Sequence, residues 1–394
     1  MNISLSDKKI TIRRVLNPRK YYWNDLIKSS GEGTPYGLLD YINLGKNSDK
    51  KCFVMAFDSD GKTVGAAGGR IRGNIPLFGF LSKVLWIDIG PIVSLTEKRD
   101  IIKLKINLLK ELKHQSKKLG LNKIISSDYI RDKNFQAFES EDFKGSSFLA
   151  YPVDLKKHYN KDSEKQADLS WDEILKRKKL KKELRKKPLK LSKFSFKKEF
   201  RRLIRDAKKI NNLEIIHELE KKNNVLVEDF QKVIEVTYNR AININPNSTM
   251  QLKSIDYFTE LLSKNDFKTH ISAAFIDGKI VSGMLILSDG QKAVLHLAGS
   301  VRNIPKGVSN LLYAEVIEWL KIKNHLIFDP GGGPKNATPN NPSYGVLKFK
   351  EGLGVPAVEF KRWEFPINKV RANLLDLLSK QKPLVRFLRS KLNF

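Results

Sequence analysis

The chain has 394 residues, of which 41% are hydrophobic, and it carries a formal net charge of +30. A chain of this length favours two domains, and the hydrophobic fraction is enough to build their cores. The positive charge fits either a solubilising, lysine-rich surface or a polyanionic partner, such as tRNA, an anionic lipid surface or a pyrophosphate-bearing substrate.

Cysteine and histidine usage argues against several kinds of site. The single cysteine, Cys52, excludes an internal disulfide and a Cys-rich zinc site, and the six histidines show no metal-ligand spacing. We therefore expect no metal and no cofactor. The N-terminus lacks the apolar segment of a signal peptide, and the sequence has no apolar run of about 18 residues. We expect a cytoplasmic protein, at most peripheral to the inner face of the membrane.

The first part of the chain predicts several strands around one long helix. The helix is indicated by apolar residues at helical spacing and ends before Gly120. Residues 21–27 favour a shorter helix. The predicted strands are 52–57, 63–72, 84–89, 123–127 and 147–155, and the long helix is 98–118.

A similar order recurs after residue 211. Asp-Gly pairs at 277–278 and 289–290 predict the turns of a strand meander. The predicted strands are 213–216, 271–276, 280–287, 293–298 and 326–328, and the predicted helices are 228–238, 255–262 and 309–321. Two copies of an acetyltransferase-type α/β fold would produce this order.

The most basic segment, residues 176–209, lies between the two copies. Its end predicts a helix with an apolar face that includes Phe200 and Ile204. The remaining positions carry arginines that either grip a pyrophosphate or nucleic-acid backbone through forked hydrogen bonds or form a solvated face. These arginines are Arg201, Arg202 and Arg205.

The tail, residues 370–394, alternates apolar residues with Lys and Arg around Pro383. We expect it to pack on the first domain as a basic helix. The alternative is an interfacial helix that touches anionic lipid.

The stretch FDPGGGPKNATPNNPSYGVLKFK, residues 328–350, is rich in glycine and proline. Proline removes a backbone donor and glycine allows unusual dihedral angles, so we expect a long, shaped loop rather than a helix or a central strand. A loop of this length between apolar runs is typically functional.

Two motifs resemble the Fem family of peptidoglycan aminoacyltransferases. The first has Asp329, Gly331, Gly332, Phe349, Lys350, Gly352 and Gly354, followed by an apolar strand at 357–360. The second has Phe200, Arg201, Arg202, Ile204, Arg205, Ala207 and Lys208. The resemblance implies an α/β (α+β) fold of two tandem GNAT-like acyl-N-acyltransferase domains. The implied boundaries are 1–158 and 212–366 for the two domains, 159–211 for the basic linker and helix, and 367–394 for the C-terminal helix.

The resemblance also implies roles for particular residues. Lys350 is expected to contact the 3' end of the acyl donor or the tetrahedral oxygen. Asp329 ends a predicted strand, where it serves catalysis or caps the glycine turn. Gly331 and Gly332 are expected to permit the backbone path. Further substrate-binding candidates are Phe349, His296, Asn310 and Tyr313. The alternative for His296 is a core histidine whose hydrogen bonds are made within the protein.

Three functions stay open at this point. The first is transfer of an aminoacyl group from aminoacyl-tRNA to an amine on a cell-envelope or glycan precursor, and the second is acyl-CoA-dependent N-acyl transfer in polysaccharide biosynthesis. Residues 304–309, Ile-Pro-Lys-Gly-Val-Ser, lack the leading polar residue and first glycine of a CoA pyrophosphate loop. The third is a non-catalytic binder of nucleic acid or a membrane surface. No clear Gln-Ser-x-x-Trp motif of the peptidoglycan members occurs near the N-terminus.

Overall fold

A computed structural model describes residues 1–5, 8–45, 50–73, 83–88, 90–127, 136–155, 196–221, 224–244, 252–339 and 342–380. Within these ranges the strands are β1 (Asn2–Leu5), β2 (Lys8–Arg14), β3 (Lys51–Phe57), β4 (Thr63–Arg72), β5 (Val84–Ile87), β6 (Ile92–Val93), β7 (Lys123–Ser127), β8 (Lys144–Ala150), β9 (Val153–Asp154), β10 (Leu213–Ile216), β11 (Lys268–Ile276), β12 (Lys279–Ser288), β13 (Lys292–Ser300), β14 (Ile327–Asp329), β15 (Gly332–Pro334) and β16 (Val358–Pro366). The helices are α1 (Trp23–Ser29), α2 (Leu39–Ile42), α3 (Lys98–Lys118), α4 (Gln136–Ser140), α5 (Lys198–Ala207), α6 (Asn224–Ile244), α7 (Ile255–Leu262), α8 (Val308–Ile322), α9 (Pro342–Glu351) and α10 (Lys369–Lys380).

The first sheet has the strand order β1-β2-β3-β4-β5-β7-β16-β8-β15, with β6 beside β4. Its strands pair antiparallel except for β5 and β7, which are parallel and are joined by α3. This helix has an apolar face with Leu104, Leu108 and Leu112, which are fully buried against the sheet. The free Cys52 is also buried in this core, where burial raises the pKa of its thiol to about 11.

The second sheet has the order β10-β11-β12-β13-β14-β9. The β11–β12–β13 meander is antiparallel, and β13 pairs parallel with β14 through the crossover helix α8. The same succession of meander, helix and parallel strand therefore occurs in both sheets. The fold is α+β, and its two halves repeat one element order, as the sequence predicts.

The two sheets exchange strands. β9 leaves the first sheet after β8 and pairs with β14 of the second sheet, whereas β15 and β16 return to β8 and β7 of the first. The single strand predicted over residues 147–155 is therefore wrong, because the chain crosses between sheets at Tyr151 and Pro152. β15 and β16 thus lie in the first sheet, although they follow most of the second half in the chain. The predicted domain boundaries stay a prediction.

The two halves also share one hydrophobic core. Trp23, Leu38 and Tyr41 from the N-terminal part pack in one buried cluster with Phe230 and Phe258 from the second half. Buried polar contacts cross the same junction, since the Lys292 ammonium donates to the carbonyl oxygens of Ser30, Gly31 and Gly33 at 3.1, 3.2 and 2.6 Å. Packing and hydrogen bonding thus join the halves.

Part of the glycine- and proline-rich stretch is helical, so the predicted long loop is wrong there. Residues 342–351 form α9, with Pro342 as its first residue. Proline is accepted at this position because the first amides of a helix have no intrahelical acceptor. Gly345 lies inside the helix, at a cost of only about 1 kcal/mol in helix propensity. Lys350 therefore projects from the last turn of a helix.

Two predicted segments lie partly or wholly outside the described residues. The lysine-rich run up to residue 195 is one, and the tail after residue 380 is the other. The described start of the tail is α10, whose Asp376 accepts a hydrogen bond from the ammonium of Lys123 in β7 at 2.7 Å. None of the helices in the described ranges combines the length and hydropathy that a membrane span needs.

Candidate active site

Asp329 is the last residue of β14 and is 4% exposed. Its Oδ1 accepts a hydrogen bond from the backbone N–H of Gly331 at 2.8 Å, which closes a tight turn after the strand. The carboxyl ends of parallel strands are where open α/β sheets bind ligands. Asp329 therefore caps the turn and stands where a ligand group is expected.

Close contacts explain the glycines that follow. Gly331 has φ +74°, and a Cβ added there would lie 3.3 Å from the Lys350 Nζ. At Gly332 an added Cβ would lie 1.5 Å from the carbonyl oxygen of Leu149, because β15 runs against β8 at this point. The backbone path from Asp329 to β15 thus requires both glycines, and it brings the chain against the lysine.

Lys350 is buried, with 6% of its surface exposed. Burial lowers the pKa of its ammonium to about 8, and the nearby Asp329 carboxylate acts in the opposite direction. A group with this pKa is about 90% protonated at pH 7 and can also release its proton within the physiological range. Lys350 can therefore supply a partly desolvated positive charge, which interacts strongly with a developing negative charge.

Aromatic contacts hold the end of α9 in place. The Phe349 ring lies 4.8 Å from the Tyr313 ring in α8 and 5.4 Å from the Phe200 ring in α5, centroid to centroid. Tyr313 and Asn310 are both 7% exposed, and burial raises the pKa of the Tyr313 phenol. The structure thus brings Phe349, Lys350, Asp329, Tyr313 and the start of α8 together.

The three arginines of α5 are exposed. The apolar side of this helix packs on α8 and α9 through Phe200, Ile204 and Ala207, as its periodicity predicts. Arg202 is held by Glu199 and Asp206 on the same helix. Exposed ion pairs of this kind contribute little to stability, but they hold the guanidinium on carboxylates of its own helix.

His296 lies beside the same edge of the second sheet. It is the extra residue of a β-bulge in β13, two positions beyond Val294, which pairs with Asp329. Two residues along a strand span ~7 Å. Its Nε2 lies 2.6 Å from the Tyr257 hydroxyl and its Nδ1 lies 3.4 Å from the Tyr36 hydroxyl. Burial lowers the pKa of His296 to about 3, so the imidazole is neutral.

The surroundings of His296 were not predicted from the sequence. Its neighbours Tyr36, Tyr41 and Tyr257 form with it a group that we call the Tyr–His cluster, with ring centroids 5.8 to 6.0 Å from the imidazole. These residues come from three distant parts of the chain. No periodicity or motif in the sequence joins them.

A group of possible metal ligands occurs elsewhere among the described residues. It comprises Glu218, Glu220 and His270. Protein contacts already occupy these groups, because Glu220 lies 3.3 Å from the His270 ring and accepts from the Ile271 backbone N–H, while Glu218 pairs with Lys323. The cluster needs no metal to explain its arrangement.

No protein-family model matches the sequence, and no curated protein matches it either. Solved structures do match the fold. FemX is similar over 93% of this chain and 100% of its own, with 13% identity and a TM-score of 0.61. The match to L-PGS from Bacillus licheniformis covers 92% of this chain and 96% of that protein, with 14% identity and a TM-score of 0.53.

A tandem GNAT protein from the clavulanic acid biosynthesis pathway matches 91% of this chain and 99% of its own. Its identity to the chain is 8%, and its TM-score is 0.50. At these identities the comparisons establish the fold. The chain therefore shares the overall fold of FemX and of the tandem GNAT protein.

Proposed function

We propose that this protein is an N-acyltransferase that forms an amide between an activated acyl group and an amine, with aminoacyl-tRNA as the donor and an amine on a cell-envelope or glycan precursor as the acceptor. The observation that carries the proposal is the buried Lys350 ammonium against the Asp329–Gly331 turn, at the end of β14. The Fem-like fold and the net charge of +30 support an RNA donor.

The chemistry requires little beyond positioning and charge. The acceptor amine attacks the ester carbonyl carbon, a carbon–nitrogen bond forms, and negative charge gathers on the carbonyl oxygen. The Lys350 ammonium stabilises that oxygen. When the intermediate collapses, the ester carbon–oxygen bond breaks and one proton passes from the amine to the departing hydroxyl oxygen. No covalent enzyme intermediate is needed.

The test is a single-turnover assay with radiolabelled aminoacyl-tRNA and an extract of amine-bearing envelope precursors. We expect labelled product with the native protein and a loss of at least about 100-fold with Lys350→Met, which removes the charge and keeps the length of the side chain. Lys348→Met is the matched control, because this exposed lysine lies on the same helix and pairs with Glu351.

The outcomes separate the alternatives. Transfer from acyl-CoA but not from aminoacyl-tRNA would replace the donor and keep the reaction. Normal transfer by a folded Lys350→Met variant would show that the site lies elsewhere. Tight tRNA binding without transfer to any precursor would favour a non-catalytic binder.

A further inference from the structure

One side of α10 presents apolar side chains to solvent. Val370, Leu374 and Leu377 are 78%, 40% and 58% exposed. Their spacing of four and three residues puts them in one line along the helix. Single exposed apolar residues are normal on a protein surface, whereas aligned and contiguous ones are characteristic of interaction sites. We call these three residues the apolar stripe of α10.

The other side of α10 is fixed to the first sheet. At its start, the Asn368 backbone N–H donates to the carbonyl oxygen of Asn122 at 3.2 Å. Further along, Ala372 is buried and Asp376 accepts from the Lys123 ammonium at 2.7 and 2.9 Å. With about 3.6 residues per turn, Ala372 and Asp376 lie on the side opposite to the apolar stripe. Docking on the sheet therefore holds the stripe outward.

The sequence around the stripe is strongly basic. Residues 369–394 contain one acidic residue, Asp376, and the Lys123 ammonium already holds it. Lys369 and Arg371 are exposed in the first turn of the helix. The same residues 369–394 contain seven cationic side chains, namely Lys369, Arg371, Lys380, Lys382, Arg386, Arg389 and Lys391.

Charge decides which occupant suits the stripe. A second copy of α10, or the basic residues that follow it in this chain, would bring like charges together. An anionic lipid surface instead offers an apolar layer for the stripe and negative headgroups for the cations beside it. Clusters of Lys and Arg on an amphipathic helix are the pattern that such surfaces bind.

We propose that α10 docks this protein on an anionic lipid surface, with the apolar stripe inserted at the boundary between headgroups and acyl chains. Long cationic side chains such as Lys369 and Arg371 reach from this depth to the lipid phosphates. The sequence left packing on the first domain and contact with lipid as alternatives for the tail. In α10 the two are compatible, because they use opposite sides of one helix. The inference goes beyond acyl transfer, since it concerns where the protein is held.

The position of α10 leaves the ligand end of the first sheet uncovered. Asn122 and Lys123, which hold the helix, stand at the start of β7. The carboxyl end of this strand, at Ser127, lies ~13 Å further along. Ligands bind at the carboxyl ends of the parallel strands in α/β sheets. A lipid surface against α10 therefore does not cover that end of the sheet.

The experiment is co-sedimentation of the full-length protein with two kinds of vesicle. One is phosphatidylcholine with about one third phosphatidylglycerol, and the other is phosphatidylcholine alone. Val370→Gln/Leu377→Gln removes the two most exposed residues of the stripe. Leu16→Gln/Ile322→Gln is the matched control, because these residues lie outside α10 and are 85% and 72% exposed. Neither double variant changes the net charge.

We expect the native protein to bind the anionic vesicles at least about 10-fold more tightly than the neutral ones. The stripe variant should bind the anionic vesicles about 10- to 100-fold more weakly through lost apolar burial, and the control should change by less than about 2-fold. Equal binding by all three proteins would show general attraction of the positive charge and would overturn docking through α10. Failure of the native protein to bind either vesicle would overturn it as well.

A labelled cysteine identifies what covers the stripe. The single native cysteine, Cys52, is buried, so a polarity-sensitive maleimide dye reacts at Leu377→Cys or, as the control, at Leu16→Cys. We expect anionic vesicles to shift the emission to shorter wavelength at position 377 and not at position 16. Shifted emission at 377 before vesicles are added would mean that a second copy or another segment of this chain covers the stripe, and would overturn the lipid assignment. Donor and acceptor are absent from both measurements, so their failure would leave the role of Lys350 to its own assay.

Discussion

A lysine that is 6% exposed is an unusual residue, because an ammonium loses most of its hydration on burial. At Lys350 the loss appears as the lowered pKa, and Asp329 offsets only part of it. The sequence motif identified both residues as candidates. It did not indicate the burial, which depends on α9 packing against β15 and on the absence of a side chain at Gly331.

The pH dependence of transfer tests which form of Lys350 acts. If the ammonium stabilises the oxyanion, kcat should be full on the acidic side and should fall as pH rises through about 8, where the group loses its proton. The side chain of Lys350→Arg should stay charged over the whole pH range. The kcat of this variant should be lower than that of the native protein but should not fall near pH 8. A native rate that rises through pH 8 and then levels would instead assign a base role to the neutral amine. A rise in kcat at lower pH that the native protein and Lys350→Arg share would report deprotonation of the acceptor amine.

Gly331 offers a second test at the scale of one residue. Gly331 and Gly278 both have φ +74°, so alanine at either position costs a similar strain of about 1–2 kcal/mol. Only at Gly331 does the new Cβ meet the Lys350 Nζ, at 3.3 Å; at Gly278 nothing lies within 4 Å.

We expect Gly331→Ala to lower kcat by about 10- to 100-fold through displacement of the lysine, and Gly278→Ala to leave kcat nearly unchanged. Thermal unfolding should show similar destabilisation of the two variants. Equal kcat values at equal stability would mean that the contact between Gly331 and Lys350 has no part in transfer.

Elements with strong hydrophobic periodicity were predicted well. The bounds of α3 and α7 match the prediction, because apolar residues at helical spacing mark the face of each helix that packs on the core. The strands of the β11–β12–β13 meander also match closely, since Asp-Gly pairs mark both turns. Local sequence was sufficient wherever the structure depends on local pattern and turn chemistry.

The missed elements have two different causes. β2 has alternating Ile10 and Ile12, both buried, so a signal existed but was obscured by the surrounding charges. In α9 Pro342 and Gly345 disfavour a helix in the sequence, whereas burial of Leu347 and packing of Phe349 outweigh that weak preference. The Tyr–His cluster could not be predicted, because its residues are far apart in the sequence and meet only where the N-terminal part packs against the second half.

At the scale of the whole molecule, exchanged strands make the halves interdependent. β16 follows almost all of the second half in the chain, yet it lies between β7 and β8 in the first sheet. Trp363 of β16 is 1% exposed and stacks on Phe138 at 5.1 Å. Because the halves also share the core around Trp23 and Phe258, the first sheet cannot open without exposing apolar surface of the second.

This arrangement predicts one cooperative unfolding unit. Trp363→Ala should destabilise the protein by about 3–5 kcal/mol by leaving a cavity in the first sheet. In hydrogen exchange followed by mass spectrometry, peptides from β3 and from β12 should lose protection together, although only β3 lies in the same sheet as Trp363. Leu16→Ala, at a position that is 85% exposed, should leave both peptides unchanged. Lost protection in β3 alone would mean that the halves unfold separately despite the exchanged strands. The junction that holds the Tyr–His cluster would then be a weak contact rather than a rigid site.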